Sequence, residues 1–344
     1  MIIKRFLLSV MVLLVPGLSF GMERIATPET IATTEQKAII CDLGGIFFDV
    51  SYALPVAQRV GVGNFLSYMF WDWKAPWKIK NKVFAVLNTF PVTCEKDFKP
   101  TCDTSGKVIP LPICLFQAGR YTFAQIMAMK TEALNKLDTQ KMDDGKPFFV
   151  SSVEREIIEK TIEGMFDPQL RSDNTYTYPK GIELLKELAS LKNADGSKKY
   201  KIIALSNWDR ESFPAVQKRF EKEFFYFDDV IISGNINTLK PNDQAFDVVL
   251  QKHRLTKENC IFLDDQKENI DAGNAYGIKS VIVEKQDFDS ARLVLYGMGV
   301  LPNMPPRQSG FLTKKAFFIS AAVVATAAGA YALFSKPDES KRGF

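Results

Sequence analysis

Histidine is almost absent from this sequence. The 344 residues include one histidine, His253, and five cysteines. A single histidine excludes sites built from two or more imidazoles, including the histidine-rich zinc sites, and five cysteines are too few for a disulfide-rich scaffold of this length. Charge of one sign is also scarce, because 44 basic residues nearly balance 40 acidic residues and leave a net charge of +4. This small excess argues against nucleic acid as a partner.

The remaining composition is that of an ordinary globular protein. Hydrophobic residues make up 46% of the chain and charged residues 24%, which excludes a mainly disordered protein. The body of the chain contains no internal repeat and no low-complexity segment. Its length allows one large domain or two modest ones.

The first apolar run lies at the amino terminus. Lys4 and Arg5 precede an apolar stretch from Phe6 to Val15, and small residues follow near Gly21. This arrangement is typical of a secretory signal peptide, which we predict over residues 1–21, with a linker over residues 22–36. An uncleaved membrane anchor is the alternative.

The second apolar run, residues 316–334, contains no charged side chain and has lysines on both sides. A helix of this length nearly spans the hydrocarbon core of a bilayer. We predict a transmembrane helix here, after a linker at 301–315 and before a tail at 335–344; a buried helix of a soluble domain is the alternative. Together the two ends predict an exported protein with a membrane anchor. Its main domain would lie on the extracytoplasmic side, which is the periplasm in a Gram-negative cell.

Between these ends, apolar strands alternate with amphipathic helices. We predict strands at residues 37–41, 201–205, 230–232, 260–263 and 280–283. We predict helices at residues 117–137, 151–166, 182–191, 211–222, 243–252 and 267–276. This alternation predicts an α/β fold with a parallel sheet.

Polar residues stand at the ends of three of these strands. They are Asp42 after the first strand, Ser206 and Asn207 after the second, and Asp264 with Asp265 after the fourth. Lys240, which is followed by proline, lies between the second and third groups. Ligands of open parallel sheets bind at the carboxyl ends of the strands, so we expect these side chains to form one site.

These segments resemble the four motifs of the haloacid dehalogenase-like hydrolase superfamily. The similar stretches are, in order, IICDLGGIFFDV, IIALSN, LKPNDQAF and IFLDDQKENIDAGNAYGI. The resemblance implies a Rossmann-like, three-layer parallel sheet made of residues 37–50 and 176–300. It also implies a mainly helical cap domain, residues 51–175, inserted after the first motif.

The resemblance implies a nucleophile and a metal site. Asp42 would take up a phosphoryl group as an aspartyl-phosphate and divide the hydrolysis into two steps. Mg²⁺ prefers oxygen ligands, which Asp42, Asp265 and the backbone carbonyl of Gly44 would supply. Asp264 would be either a further ligand or a hydrogen-bonding neighbour of the ligands.

The resemblance also implies a binding site for a small phosphorylated substrate. Ser206 and Asn207 would bind the phosphate group, with hydroxyl and amide donors. Lys240 would bind the same group and act in catalysis by neutralising charge on the transferring oxygens.

One position departs from the superfamily pattern. Active phosphatases of this type usually carry a second aspartate two residues after the nucleophile, where this sequence has Gly44. General acid–base catalysis typically contributes about 10²–10⁴-fold. Three hypotheses therefore stand: a Mg²⁺-dependent phosphatase, a catalytically silent phosphate- and metal-binding module on the same fold, and a 2-haloacid dehalogenase. The dehalogenase reaction needs no metal and would not need the adjacent pair Asp264 and Asp265.

Three cysteines, Cys94, Cys102 and Cys114, fall in an irregular part of the expected cap. In an exported domain two of them could form a disulfide, and the sequence leaves open which two.

Overall fold

The computed structural model describes residues 36–51, 59–61, 63, 75–102, 106–142, 145–284 and 287–303. The predicted signal peptide and the predicted transmembrane helix lie outside these residues. Within them, no helix has both the length and the apolar character needed to cross a membrane.

The described residues form seven strands and twelve α-helices. In chain order they are β1 (Ala38–Cys41), β2 (Phe48–Val50), α1 (Ala75–Leu87), α2 (Leu111–Gln117), α3 (Phe123–Thr139), α4 (Ser152–Phe166), α5 (Pro168–Asp173), β3 (Thr175–Thr177), α6 (Pro179–Ser190), β4 (Lys201–Ser206), α7 (Phe213–Arg219), α8 (Glu221–Phe224), β5 (Asp229–Ile232), α9 (Ser233–Ile236), α10 (Asp243–His253), β6 (Cys260–Asp264), α11 (Lys267–Tyr276), β7 (Lys279–Ile282) and α12 (Phe288–Gly297).

A parallel sheet lies at the centre of the molecule. Its strand order is β5-β4-β1-β6-β7, and every neighbouring pair is parallel. Strand β1 is central, and Cys41 aligns with Ala204 on one side and Leu263 on the other. The predicted parallel α/β fold is therefore confirmed.

Helices cover both faces of this sheet. Successive side chains of a strand point to opposite faces. Accordingly, Ile39 and Cys41 pack into an apolar cluster with α6, α7 and α12, whereas Ala38 and Ile40 pack into another cluster with α10 and α11. The result is a three-layer arrangement with the sheet between two layers of helices.

A long segment is inserted between β1 and β4 and has an apolar cluster of its own. Helices α1, α3 and α4 supply most of that cluster, with buried residues that include Val83, Leu87, Ile126, Leu134, Ile158 and Ile162. Strands β2 and β3 form a short antiparallel pair that connects the segment to the sheet domain. The backbone N–H of Ser51 donates to the carbonyl of Asn174 at 3.0 Å, so the two ends of the insertion lie side by side.

The turn before α3 is in direct contact with the sheet domain. The sequence predicts a helix from residue 117, but α3 begins only at Phe123, where Thr122 forms a capping box with Gln125. Gly119 has φ +68, in the left-handed region that favours glycine. A Cβ at Gly119 would lie 2.2 Å from the carbonyl oxygen of Gly234. The prediction was wrong here because this close backbone contact requires a turn rather than a helix.

A second part of the insertion also contacts the sheet domain. The side chain of Asn242 accepts from the Lys99 N–H at 2.8 Å and donates to the Lys99 carbonyl at 2.9 Å. The Thr101 hydroxyl donates to Glu268 at 2.9 Å. These bonds attach the insertion to the loop before α10 and to the first turn of α11.

The five cysteines all lie in the described residues, and none of them forms a disulfide bond. Cys94 is exposed, whereas Cys114 is buried. The disulfide that the sequence left open among Cys94, Cys102 and Cys114 is not formed in this structure.

Candidate active site

Three polar residues meet at the carboxyl edge of the sheet. Asp42 follows β1, Ser206 ends β4 and Asp264 ends β6. Because β4, β1 and β6 are neighbours in this order, the three side chains come to one place. Each residue is buried, with at most 6% of its surface exposed.

Lys240 enters this place from the loop before α10. Its side chain is completely buried, and its Nζ lies 3.0 Å from Asp42 Oδ2 and 2.6 Å from Asp264 Oδ2. Burial alone would lower the pKa of Lys240, but the charges of Asp264 and Asp42 outweigh it and raise the pKa above its ordinary value. The lysine is therefore a fixed positive charge between two carboxylates.

Asn207 holds the backbone of that lysine. Its Nδ2 donates to the Lys240 carbonyl at 2.9 Å, and its Oδ1 accepts from the Lys240 N–H at 2.8 Å. Both ends of the amide are thus engaged by Lys240. This amide therefore positions Lys240, and the phosphate-binding roles of Asn207 and Ser206 stay predictions.

Asp264 is surrounded by hydrogen-bond donors. Besides Lys240, the backbone N–H of Gln266 donates to it at 2.8 Å, and Asn269 Nδ2 lies 3.0 and 3.1 Å from its two oxygens. These donors fix the carboxylate and stabilise its ionised form, although burial raises the pKa of Asp264.

Asp265 is in the opposite situation. Its Oδ1 is buried and has no hydrogen-bond partner among the described residues. Burial, followed by the negative charges of Asp264 and Asp42, raises the pKa of Asp265 to about 8. An acceptor atom that is buried without a donor is costly, and it indicates a place for a positively charged ligand.

The carboxylates fit a divalent cation. Asp42, Asp264 and Asp265 each offer an oxygen atom, and these atoms lie within 4.8 Å of one another. Clustered carboxylate oxygens are the donor set that Mg²⁺ prefers. The donors on Asp264 occupy much of its capacity, so Asp42 and Asp265 have the oxygens best placed to hold the ion.

Two adjacent glycines shape this cluster in different ways. Gly45 has φ +71, and a Cβ built on it would lie 2.2 Å from Asp265 Oδ2. Only glycine therefore allows the Asp265 carboxylate to lie where it does. A Cβ on Gly44 would meet no atom within 4 Å. The sequence did not single out Gly45, although the Gly-Gly pair after Asp42 was a visible signal.

A buried ion pair supports the loop that follows Ser206. Asp209 accepts from Arg171 Nε at 3.0 Å and from the Ser212 hydroxyl at 2.6 Å, and Arg171 and Asp209 are both buried. Asp209 also accepts from the Ser212 N–H, and an aspartate three residues before a serine is a recognisable local signal. Nothing in the sequence indicated Arg171, which lies on α5 in the inserted segment.

Comparison with known proteins identifies the family. The model of the haloacid dehalogenase-like hydrolase family matches residues 115–283, a stretch that contains Ser206, Lys240, Asp264 and Asp265 at the places where the geometry assembles them.

The chain belongs to the haloacid dehalogenase-like hydrolase superfamily.

Individual relatives of this superfamily are distant. A segment of 95 residues is 29% identical to drimenol cyclase of Aspergillus calidoustus and covers 28% of this chain and 17% of that protein's length. Among solved structures, a superfamily enzyme of Bacteroides thetaiotaomicron is 14% identical, with coverage of 75% of this chain and 98% of that one and a TM-score of 0.43. The L-2-haloacid dehalogenase of Xanthobacter autotrophicus is 16% identical, with coverage of 79% and 85% and a TM-score of 0.40.

The raised pKa of Asp265 predicts that metal binding to this superfamily site depends on pH. Below about pH 8 the folded, metal-free protein keeps the Asp265 proton, whereas the unfolded chain loses it near an ordinary aspartate pKa of about 3.9. Stability of the metal-free protein therefore falls as pH rises between these two values. A bound cation displaces that proton, so we expect Mg²⁺ affinity to rise with pH, by up to about tenfold per pH unit for one released proton.

Calorimetric titration of the full chain with Mg²⁺, from about pH 6 to about pH 8, measures this dependence. The Asp265→Asn variant is the control, because it has no proton to release; it should bind Mg²⁺ weakly and without this slope. A flat profile for the unaltered protein would contradict the assignment.

Proposed function

We propose that the protein is a Mg²⁺-dependent phosphatase that hydrolyses a small phosphomonoester through an aspartyl-phosphate on Asp42. The cluster of Asp42, Asp264 and Asp265 around one lysine carries this proposal. Even while Asp265 keeps its proton, two carboxylates beside one ammonium leave a net negative site, which repels a phosphate dianion. A divalent cation on the unpartnered Asp265 oxygen reverses that repulsion, and phosphoryl transfer depends mainly on such positioning and charge neutralisation.

The residues around Asp42 prepare it as the nucleophile. Its Oδ1 accepts from the Leu43 N–H at 2.6 Å, and its Oδ2 lies 3.0 Å from Lys240 Nζ. These contacts orient the carboxylate. A carboxylate oxygen of Asp42 forms a bond to phosphorus as the bond from phosphorus to the alcohol oxygen breaks, and water then releases phosphate from the aspartyl-phosphate. Bound Mg²⁺ supplies charge neutralisation for both steps.

Lys240 contributes the second positive charge. Its Nζ touches the nucleophile, so it lies beside the oxygens of the group being transferred. Its backbone is held by Asn207 and its charge by Asp264, at 2.6 Å. A donor fixed before the reaction requires no reorganisation during it, which is the source of strong electrostatic stabilisation.

The other two hypotheses explain fewer of the observations. A dehalogenase that works without a metal has no use for the buried, unpartnered Asp265 oxygen next to Asp264. A catalytically silent binding module is favoured by Gly44, which brings no acid to the leaving oxygen. Such a module would bind Mg²⁺ and phosphate through the same residues without turnover.

Phosphate release from an aryl phosphate tests the proposal. We expect turnover that requires Mg²⁺ and that falls to background in the Asp42→Asn variant, because an amide oxygen is a far weaker nucleophile than a carboxylate. The aryl leaving group needs little protonation, so Gly44 does not obscure the result. Turnover that persists in Asp42→Asn, or halide release from a 2-haloacid without metal, would overturn the assignment.

A further inference from the structure

Among the described residues, the buried polar side-chain atoms without a hydrogen-bond partner are concentrated at the carboxyl edge of the sheet. The side-chain atoms that lack a hydrogen-bond partner there are Asp265 Oδ1, Asn269 Oδ1 and Gln117 Oε1. The first two belong to the metal site. Gln117 lies on the inserted segment and has no part in holding the metal or the lysine, so its carboxamide needs another explanation.

Backbone contacts place Gln117 beside the loop that follows Ser206. Its carbonyl accepts from the Ser233 hydroxyl at 2.7 Å, and that hydroxyl lies 3.2 Å from the Trp208 carbonyl. Ser233 comes directly after β5, whose last residue, Ile232, aligns with Ser206. Gln117 is thereby fixed at the carboxyl edge on the β4–β5 side.

The neighbouring residues bring Gln117 to the lysine loop as well. Cys114 and Ala118 pack against Leu239 in a small apolar cluster, and Leu239 directly precedes Lys240. Gln117 therefore lies beside both the loop that follows Ser206 and the loop that carries Lys240. These two loops enclose the phosphate site of the proposed function.

Contacts with the sheet domain fix the backbone from which the Gln117 carboxamide extends. The Ser233 hydroxyl donates to the Gln117 carbonyl. Two residues later, Gly119 lies so close to Gly234 that a Cβ would not fit. An amide on such a backbone, with a buried oxygen that no group of the described residues satisfies, is arranged to pair with a bound molecule. A hydroxyl group can both donate to the oxygen and accept from the nitrogen of a carboxamide.

We propose that Gln117 determines substrate specificity by hydrogen bonding a hydroxyl group on the alcohol part of the substrate, so that the enzyme prefers phosphomonoesters of polyhydroxylated alcohols. This inference rests on the proposed function for the position of the phosphate. It adds the chemical class of the group to which the phosphate is attached.

A matched pair of ligands tests this preference through binding. Sorbitol 6-phosphate and hexyl phosphate have the same carbon chain with and without hydroxyl groups. We measure their dissociation constants by calorimetry on the full chain with Mg²⁺ in the Asp42→Asn background, which prevents turnover. We expect sorbitol 6-phosphate to bind about tenfold more tightly, because only the hydroxylated ligand has a hydroxyl to donate to the buried Gln117 oxygen.

The Gln117→Met variant removes the hydrogen bond and keeps the length of the side chain. It should weaken sorbitol 6-phosphate by about tenfold and leave hexyl phosphate unchanged, and unchanged binding of hexyl phosphate also shows that the variant folds. Gln251→Met, at an exposed position of α10, is the control and should change neither constant.

Each outcome decides the inference. Equal affinities for the two ligands, or an equal loss of both in Gln117→Met, would overturn it, as would a failure of both phosphates to bind. The selective loss of sorbitol 6-phosphate supports it even in a protein that shows no turnover, in which case the phosphatase proposal alone would fail.

Discussion

Replacing Lys240 with methionine should both destabilise the protein and nearly abolish its activity. Methionine fills the same completely buried space without charge, so Asp264 and Asp42 would face one another with no cation between them. Removal of one partner from a buried ion pair costs about 3–5 kcal/mol. The loss of a fixed positive charge beside the transferring group should lower kcat by a further factor of about 10²–10³.

Urea unfolding of the metal-free protein measures the first effect, and phosphate release with Mg²⁺ measures the second. Lys252→Met is a matched control, because Lys252 pairs with Asp229 but is 53% exposed; it should cost less than about 1 kcal/mol. The double variant Lys240→Met with Asp264→Asn should recover part of the stability, since it removes the uncompensated charge. Equal stability of Lys240→Met and Lys252→Met would show that Lys240 is not the cation on which this cluster depends.

Introducing an aspartate at Gly44 should increase activity. The position lacks the acid that superfamily phosphatases usually have, and a Cβ there meets no atom within 4 Å. Because Gly44 does not have a positive φ, an L-residue fits its backbone. We expect Gly44→Asp to raise kcat for alkyl phosphates by about 10²-fold, within the range of general acid catalysis, and to change aryl phosphate turnover much less.

The adjacent glycine provides the control for this gain. Gly45→Asp adds the same carboxyl group one residue later, where a Cβ would lie 2.2 Å from Asp265 Oδ2. That variant should lose Mg²⁺ binding and activity. Kinetics with alkyl and aryl phosphates compare the two variants. If Gly44→Asp leaves alkyl phosphate turnover unchanged, then either the new carboxyl group does not reach the leaving oxygen or another group already supplies the proton.

Much of the sheet domain is predictable from the sequence because its strands are buried on both faces. Segments such as 201–205 and 260–263 are short apolar runs that end in polar residues, and they became β4 and β6 with bounds that differ by one residue at most. The motif order then placed Asp42, Ser206 and Asp264 on neighbouring strands. Here local pattern and tertiary position agree.

The relationships that the sequence could not show are those between distant segments. The side-chain amide of Asn207 binds the backbone of Lys240, a contact over 33 residues that no local pattern reveals. Strands β2 and β3 pair residues 48–50 with residues 175–177. Each strand is too short for a period of two to be recognised, and the two lie far apart in the sequence. The predicted helix at 211–222 divides into α7 and α8, since Phe220 leaves the helical conformation with φ −112 and ψ 34.

The hydrogen bond between Ser51 and Asn174 has a consequence for the construction of related proteins. An insertion whose ends are neighbours closes a loop on the sheet domain, and the entropic cost of that closure grows only slowly with loop length. The segment can therefore be replaced by a longer or shorter one without stretching the connection between β1 and β4. A replacement segment must match the residues of the sheet domain that contact the insertion, which are Asn242, Glu268 and Gly234. A chimaera that keeps those three residues and their partners should retain the sheet and exchange only the rest of the inserted segment.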